Sequence, residues 1–351
     1  MGFIRAARHI ASIKILMVFI LSLCLCAPGA GSAAEVDNVT ARHIELEDVL
    51  DDINAIINTR ISEGVDKANA GRVVIDDIEG IEVITRHDDC DVDDLYAELR
   101  KSLFQSLTAS WGLKGYDFDL QMRQLLSGRT YSLSLSDSIY RDISYLEGFS
   151  LNLKELSDVA NIGGQRVGLD KLGHFFSEGW QYFEISRQAG AGLDDALDWG
   201  SGKEAGLFGY TTTGVFSYAD LVANFNGWRF WNRVLLKQRD PLSGIIERLF
   251  DRPYVTCNIQ IVDSFRQFRL VRAWQLNRQF ELGDYIDAMW DEANNCNSYA
   301  DPVIEAKVMS RIAETDPGYV CPVDAKACSM AAEKYADYAS QLLHPRCLNM
   351  R

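Results

Sequence analysis

Asp170-Lys171-Leu172-Gly173-His174-Phe175-Phe176-Ser177-Glu178-Gly179-Trp180 sets charges into an apolar run at helical spacing. At roughly 100° per residue, Asp170, His174, Ser177, Glu178 and Gln181 gather on one side. Leu172, Phe175, Phe176, Gly179, Trp180 and Phe183 gather on the other. Taken alone this is an amphipathic surface helix, with Asp170 and His174 turned to solvent. Asp220-Leu221-Val222-Ala223-Asn224-Phe225-Asn226-Gly227 reads differently. Asp220, Asn224 and Gly227 form one stripe at i, i+4 and i+7, flanked on both sides by Leu221, Ala223, Trp228, Trp231 and Leu235. A carboxylate in that setting is expected to be buried, and a buried carboxylate must meet a cation, a donor network or a proton. Gly227 costs a helix roughly 1 kcal/mol against Ala, which points to close approach of another backbone.

The cations with similarly apolar neighbours are Lys171, His174 and Lys203, the last within Gly202-Lys203-Glu204. The reading is therefore two long helices across residues 168–236, joined by the Gly-rich stretch 190–214. Their polar faces meet in a cluster of Asp170, Lys171, His174, Lys203, Glu204, Asp220 and Asn224. Trp180, Trp228 and Trp231 read as core, with an apolar groove for a lipid as the alternative.

Outward from this centre the pattern stays mainly α: a helical core, a few short strands and a disulfide-stapled C-terminal part. Residues 45–61 space Leu46, Val49, Leu50, Ile53, Ile56 and Ile57 as one helix face. Val73-Val74-Ile75 and Ile81-Glu82-Val83-Ile84 read as short strands about a turn. The acidic run 87–94 lacks the glycine and terminal glutamate of a calcium loop and reads as an acid-rich helix N-terminus, leading into a helix over 95–111. Residues 255–262 read as a strand. Residues 265–290, 303–314 and 325–343 read as helices.

Four regions follow: a leader (1–34), a mixed, mostly helical part (35–150), the helical core (151–245) and a cysteine-rich helical part (246–351). The leader combines Arg5, Arg8 and Lys14, an apolar run from Ile15 to Cys26, and Ser32 and Ala34 at the −3 and −1 positions of a cleavage site. Cys24 and Cys26 each follow leucine, unlike a lipid-anchored cysteine. The chain is therefore read as exported, to the periplasm of a Gram-negative cell, with no transmembrane span after cleavage.

Net charge is −15; the leader holds three of the positive charges and no acid, leaving −18 on the remainder. That argues against a nucleic-acid partner. Of eight cysteines two lie in the leader. The other six, Cys90, Cys257, Cys296, Cys321, Cys328 and Cys347, read as disulfides, because no pair has the spacing of a structural zinc site.

Three chemical uses suit the cluster. Asp170, His174, Glu178, Glu204 and Asp220 are candidate ligands of a divalent metal, with Asp170 and His174 one helical turn apart on one face. Lys171 and Lys203 can instead receive a phosphate, with Asp220 orienting them. His174 beside a carboxylate is a candidate general base. No zinc-protease helix, nucleophile elbow or phosphate-cradling glycine loop is present in the sequence.

In order, these motifs resemble the VanZ-like and YfiM-like proteins of bacterial envelopes. Asp170, Lys171, His174 and Phe175 match the first block, Lys203 and Glu204 the second, and Phe216, Ser217, Asp220, Leu221, Asn224 and Gly227 the third. The resemblance implies an envelope protein with a compact helical core built on these residues; it supplies no reaction. VanZ-like proteins cross the membrane several times and YfiM-like proteins are small lipoproteins, and this chain follows neither plan. The function expected is binding of an envelope-related ligand or partner, whether lipid, phosphate or protein. The alternatives are a metal-dependent hydrolase acting on an envelope phosphate or lipid, and a structural or assembly factor.

Overall fold

Helix α1, Leu50–Asn69, starts where the Asp48 carboxylate accepts the Leu50 N–H at 2.9 Å. It begins later than the apolar spacing suggests and runs further. Its buried side, Ile53, Ile57, Ile61 and Val65, packs on α2, Val92–Arg100. Asp91 caps α2 by accepting from the Asp93 and Asp94 N–H groups, as an acid-rich N-terminus should. Between them, β1, Arg72–Ile78, pairs antiparallel with β2, Ile81–His87. This computed structural model describes residues 35–349 apart from 71, 79–80, 88, 106–113, 154, 207–208, 245, 247–250 and 265–266. The leader and the distal end of the helix expected over 95–111 lie outside the described residues.

After α3, Lys114–Leu125, the hairpin of β3, Val159–Ile162, and β4, Gln165–Gly168, delivers the chain to α4. Helix α4 comprises Asp170–Gly173, a π-helical turn at His174–Glu178, and Gly179–Ser186. The Gly-rich stretch holds a third helix, α5, Leu193–Glu204, where two helices were expected in all. The Asp195 carboxylate accepting the Gly192 N–H at 2.7 Å anchors its start. A two-residue strand β5, Val215–Phe216, leads into α6, Tyr218–Leu235.

Helices α4 and α6 cross backbone to backbone. A Cβ added at Gly179 would lie 2.6 Å from the Gly227 carbonyl carbon, and one at Gly227 would strike the Phe175 carbonyl oxygen. The close approach expected from Gly227 is therefore present. The surface position suggested by the Asp170 helix taken alone does not hold, and the paired-helix reading does: α4 is buried around most of its circumference, Asp170 and His174 included. Its polar side turns inward because α6 and other segments carry groups to satisfy it.

Residues 265–290 correct the sequence reading again. Strand β6, Val255–Ser264, pairs over its length with β7, Gln267–Leu276, and 3₁₀ turns at Leu282–Asp284 and Ala288–Trp290 follow. The apolar spacing in Gln267–Leu276 suits helix and strand alike, and the non-local partner β6 decides between them. The helix expected over 325–343 is α8, Ala325–Tyr335, followed by a 3₁₀ turn and a short helix Ala339–Leu342, with a break at Ala336 (φ 47°). Before it lies α7, Pro302–Thr315, capped by Asp301.

The six cysteines pair as Cys90–Cys257, Cys296–Cys321 and Cys328–Cys347. The last two staple the C-terminal part; the first ties the α2 N-terminus to β6. Among the described residues the main hydrophobic cluster runs from Val49 to Cys347, with two smaller ones around Ile139–Ile143 and α7 and around Val36 and Val159. Trp180, Trp228 and Trp231 belong to the main cluster, with Trp231 Nε1 donating to Phe176 O and Trp228 Nε1 to Ser186 Oγ, both at 2.9 Å. All three are core side chains, and Trp180 also borders a surface pocket lined by the charged residues Asp93, Arg100, Glu184 and Arg187. Among the described residues, no helix is long and apolar enough to cross a membrane.

Candidate functional site

Strand β4 ends where Ser157 Oγ accepts the Asp170 N–H at 2.9 Å, starting α4 inside the protein. Lys171, the next residue, has no exposed surface. Its ammonium touches three carboxylates: Asp170 Oδ2 at 2.8 Å, Asp220 Oδ1 at 2.5 Å and Glu292 Oε1 at 2.6 Å. Helix α6 supplies Asp220 because Ser217 caps it, accepting the Asp220 N–H at 3.3 Å while donating to Glu292 Oε1 at 3.0 Å. One hydroxyl thus links the start of α6 to the segment after the 3₁₀ turn at Trp290.

His174, one turn beyond Asp170, places Nε2 3.2 Å from Asp220 Oδ2. The Asn224 amide meets the Asp220 and His174 carbonyl oxygens (3.2 and 3.3 Å) only with its nitrogen toward them. Toward the ring the two amide orientations suit different states: nitrogen toward Nδ1 at 3.1 Å requires the neutral imidazole with its proton on Nε2, whereas oxygen toward it accepts Nδ1–H from the imidazolium at the same distance. Burial works against charge on His174, but the Asp220 carboxylate prevails and lifts its pKa to about 10. Burial also works against Asp220, yet His174 and Lys171 hold it far below the usual carboxylate range. This pair is the charged centre of the site.

Around it the acids outnumber the cations. Glu35, Asp170, Glu178, Glu204, Asp220 and Glu292 are six buried carboxyl groups; Lys171 and His174 are the buried cations among them. Burial, then Glu292 and Asp220, raise Glu35 to about 8. Burial raises Glu178 to about 7, against His174 and Lys203. Burial raises Glu292 to about 7, against Lys171. Burial and Asp220 lift Glu204 well above its ordinary range. A second layer continues outward, with Ser157 Oγ 3.2 Å from Asp119 Oδ1 and Arg123 3.0 Å from Asp158. The surplus acids hold protons, or a further cation replaces those protons.

The structure brings Asp170, Lys171, His174, Asp220 and Asn224 into direct contact, as the sequence reading expected. Glu204 is buried in the same electrostatic neighbourhood. Among the described residues, the group placed to hold a metal is Asp170, His174 and Asp220, whose ligand atoms lie within 4.8 Å of one another; it does not include Glu178 or Glu204. Lys203 is half-buried on α5, its ammonium 5.2 Å from the Trp199 ring centre and within electrostatic reach of Glu178. Lys171 is enclosed by carboxylates, which leaves it no face for a phosphate.

Glu35 and Glu292 escaped the sequence reading. Glu35 has no periodic context. Glu292 lies in Asp291-Glu292-Ala293-Asn294-Asn295-Cys296-Asn297, whose density of acids and amides beside a cysteine was the available signal.

Glu292 also opens the site outward. It lines a cavity of about 180 Å³ bounded by Val36, Asn38, Val39, Ile139, Tyr140, the Cys296–Cys321 disulfide and one side of α7. Scanned against family models, curated proteins and solved structures, the chain matches none.

Proposed function

We propose that this is an exported periplasmic protein that binds a small envelope-related ligand, with the buried Lys171 network as the electrostatic floor of its site. The observation that carries the reading is the double position of Glu292. Its Oε1 sits 2.6 Å from the Lys171 ammonium, and the same residue lines the cavity. A ligand in the cavity would therefore feel the whole acid-rich network through one side chain. The leader, the three disulfides and the resemblance to envelope proteins support the compartment.

The test is native mass spectrometry of the leader-processed protein after incubation with a small-molecule extract of periplasm. Wild type should carry an adduct of discrete mass, and Met309→Trp, which places an indole at the cavity, should lose it. No adduct on either protein refutes the reading.

A second reading is a metal-dependent hydrolase acting on an envelope phosphate or lipid. It is favoured by the convergence of Asp170, His174 and Asp220 and by a buried atom without a hydrogen-bond partner, Asp170 Oδ1. These residues fit a divalent cation, which when bound would supply Lewis-acid chemistry. Asp170, His174 and Asp220 would hold it, with Asn224 orienting the imidazole. Lys171 competes, since its ammonium already neutralises Asp170 and Asp220. Elemental mass spectrometry of protein purified without chelator decides: about one metal per chain, lost in Asp170→Ala/His174→Ala with helical content retained, establishes the site. Absence of metal from wild type discards it.

A further inference from the structure

Two amide side chains, Asn38 and Asn297, line the cavity beside Glu292, and their nitrogens are engaged while their oxygens are not. Asn38, only 2 % exposed, donates both amide hydrogens elsewhere, to Arg166 O at 3.0 Å and Asp291 Oδ1 at 2.6 Å. Its Oδ1 is buried and has no partner. Asn297 repeats the pattern: Nδ2 donates to Glu292 Oε2 at 2.7 Å and to Tyr140 Oη at 3.3 Å, and its Oδ1 is left without a donor. The Tyr140 hydroxyl gives its own hydrogen to Val36 O at 3.2 Å. Each amide is held in this orientation by the acceptors its nitrogen meets, so rotating either would strand a donor instead. An orphaned buried acceptor is costly, and two on residues that line one cavity suit a donor brought in by a ligand.

The remaining lining narrows the donor. Tyr140, Tyr299 and Tyr319 contribute aromatic rings, and Ile139 and Ile312 apolar surface. Rings beside carboxylates and amide oxygens suit an organic cation, whereas a hydrated metal ion would gain nothing from the apolar walls. Glu305, exposed on α7, adds negative charge at the rim. Among the described lining residues Arg346 carries the one positive charge, and it too is exposed. A volume of about 180 Å³ exceeds the roughly 150 Å³ that admits benzene in an apolar cavity.

We propose that this cavity binds a primary ammonium group on a small apolar body, the ammonium donating to Asn38 Oδ1, Asn297 Oδ1 and the Glu292 carboxylate. The inference deepens the function proposed above and rests on it for the role of Glu292.

Isothermal titration of the leader-processed protein with benzylammonium, benzyl alcohol and benzoate, at neutral pH and physiological salt, tests it. Benzylammonium should bind at least about tenfold more tightly than benzyl alcohol, with benzoate weakest. Asn297→Ala, checked for folding by thermal unfolding, should weaken the ammonium selectively, and Met309→Trp should abolish binding of all three probes. Equal affinity for alcohol and ammonium, preference for benzoate, or no ammonium binding overturns the proposal. Glu292→Gln separates the two readings. Weakened ammonium binding supports both. Unchanged affinity in Glu292→Gln beside a loss in Asn297→Ala keeps the ammonium site and removes its link to the buried network.

Discussion

Replacing Lys171 by methionine keeps a stem of similar length and removes the ammonium that Asp170, Asp220 and Glu292 share at 2.5–2.8 Å. Deleting one partner of a buried ion pair costs about 3–5 kcal/mol, because the other charge is left in a low-dielectric interior. Here three carboxylates lose their shared cation, with Asp220 alone keeping a second one in His174, and water does not reach the position. The penalty has one outlet, which is protonation. Asp170 and Glu292 are already displaced upward by burial, so loss of the cation should make them take protons at milder pH. Lys171→Met should therefore lose about 3–5 kcal/mol near pH 8 and markedly less near pH 5, where a proton replaces the ammonium. Urea unfolding with the disulfides intact, followed by tryptophan fluorescence, reads this directly, since Trp180, Trp228 and Trp231 are all in the core. A loss below about 1 kcal/mol at the higher pH, the range of an exposed pair, refutes the buried network. So does an equal loss at both pH values.

Three other outcomes follow from the same geometry. Wild type should melt higher near pH 5 than near pH 8.5: Glu35 and Asp119 (about 8) and Glu178 and Glu292 (about 7) keep protons that the unfolded chain has released, and this contribution is lost as pH rises through those values. His174, raised to about 10, acts in the same direction, and Asp220 acts oppositely only below the ordinary carboxylate range; a higher melting temperature at the alkaline end contradicts the assignment. Gly227→Ala should cost about 1–3 kcal/mol by overpacking against the Phe175 carbonyl, while Gly202→Ala, with open space around its Cβ, should gain up to about 1 kcal/mol from helix propensity; like behaviour of the two in chemical denaturation removes the helix crossing. Breaking Cys90–Cys257, at a sequence separation of 167, should destabilise by about 5 kcal/mol in the loop-entropy estimate, against about 3 kcal/mol for Cys328–Cys347 at a separation of 19; the reverse order in paired Cys→Ala variants would show that the long tie adds no constraint.

The cluster was only partly legible in the sequence. Asp220 and Asn224 declared themselves, because a polar stripe flanked by apolar residues on both sides of a helix has nowhere to go but inward. Asp170 and His174 did not: a helix with one polar side looks the same whether that side meets water or another helix's carboxylate. Glu35 and Glu292 were invisible to any periodicity, since neither lies in a regular element. Their place in the site comes from chain paths that bring residues 35, 171, 220 and 292 together.

The mainly helical class, the few strands, the six cysteines to be paired and the need for a partner to Asp220 were set by local spacing and composition, which act within a few residues along the chain. Which cysteine meets which, whether Gln267–Leu276 becomes helix or strand, and which acids surround Lys171 were decided only by tertiary structure. These depend on contacts between residues remote in sequence, where burial turns an ordinary carboxyl into one that must find a cation or keep its proton.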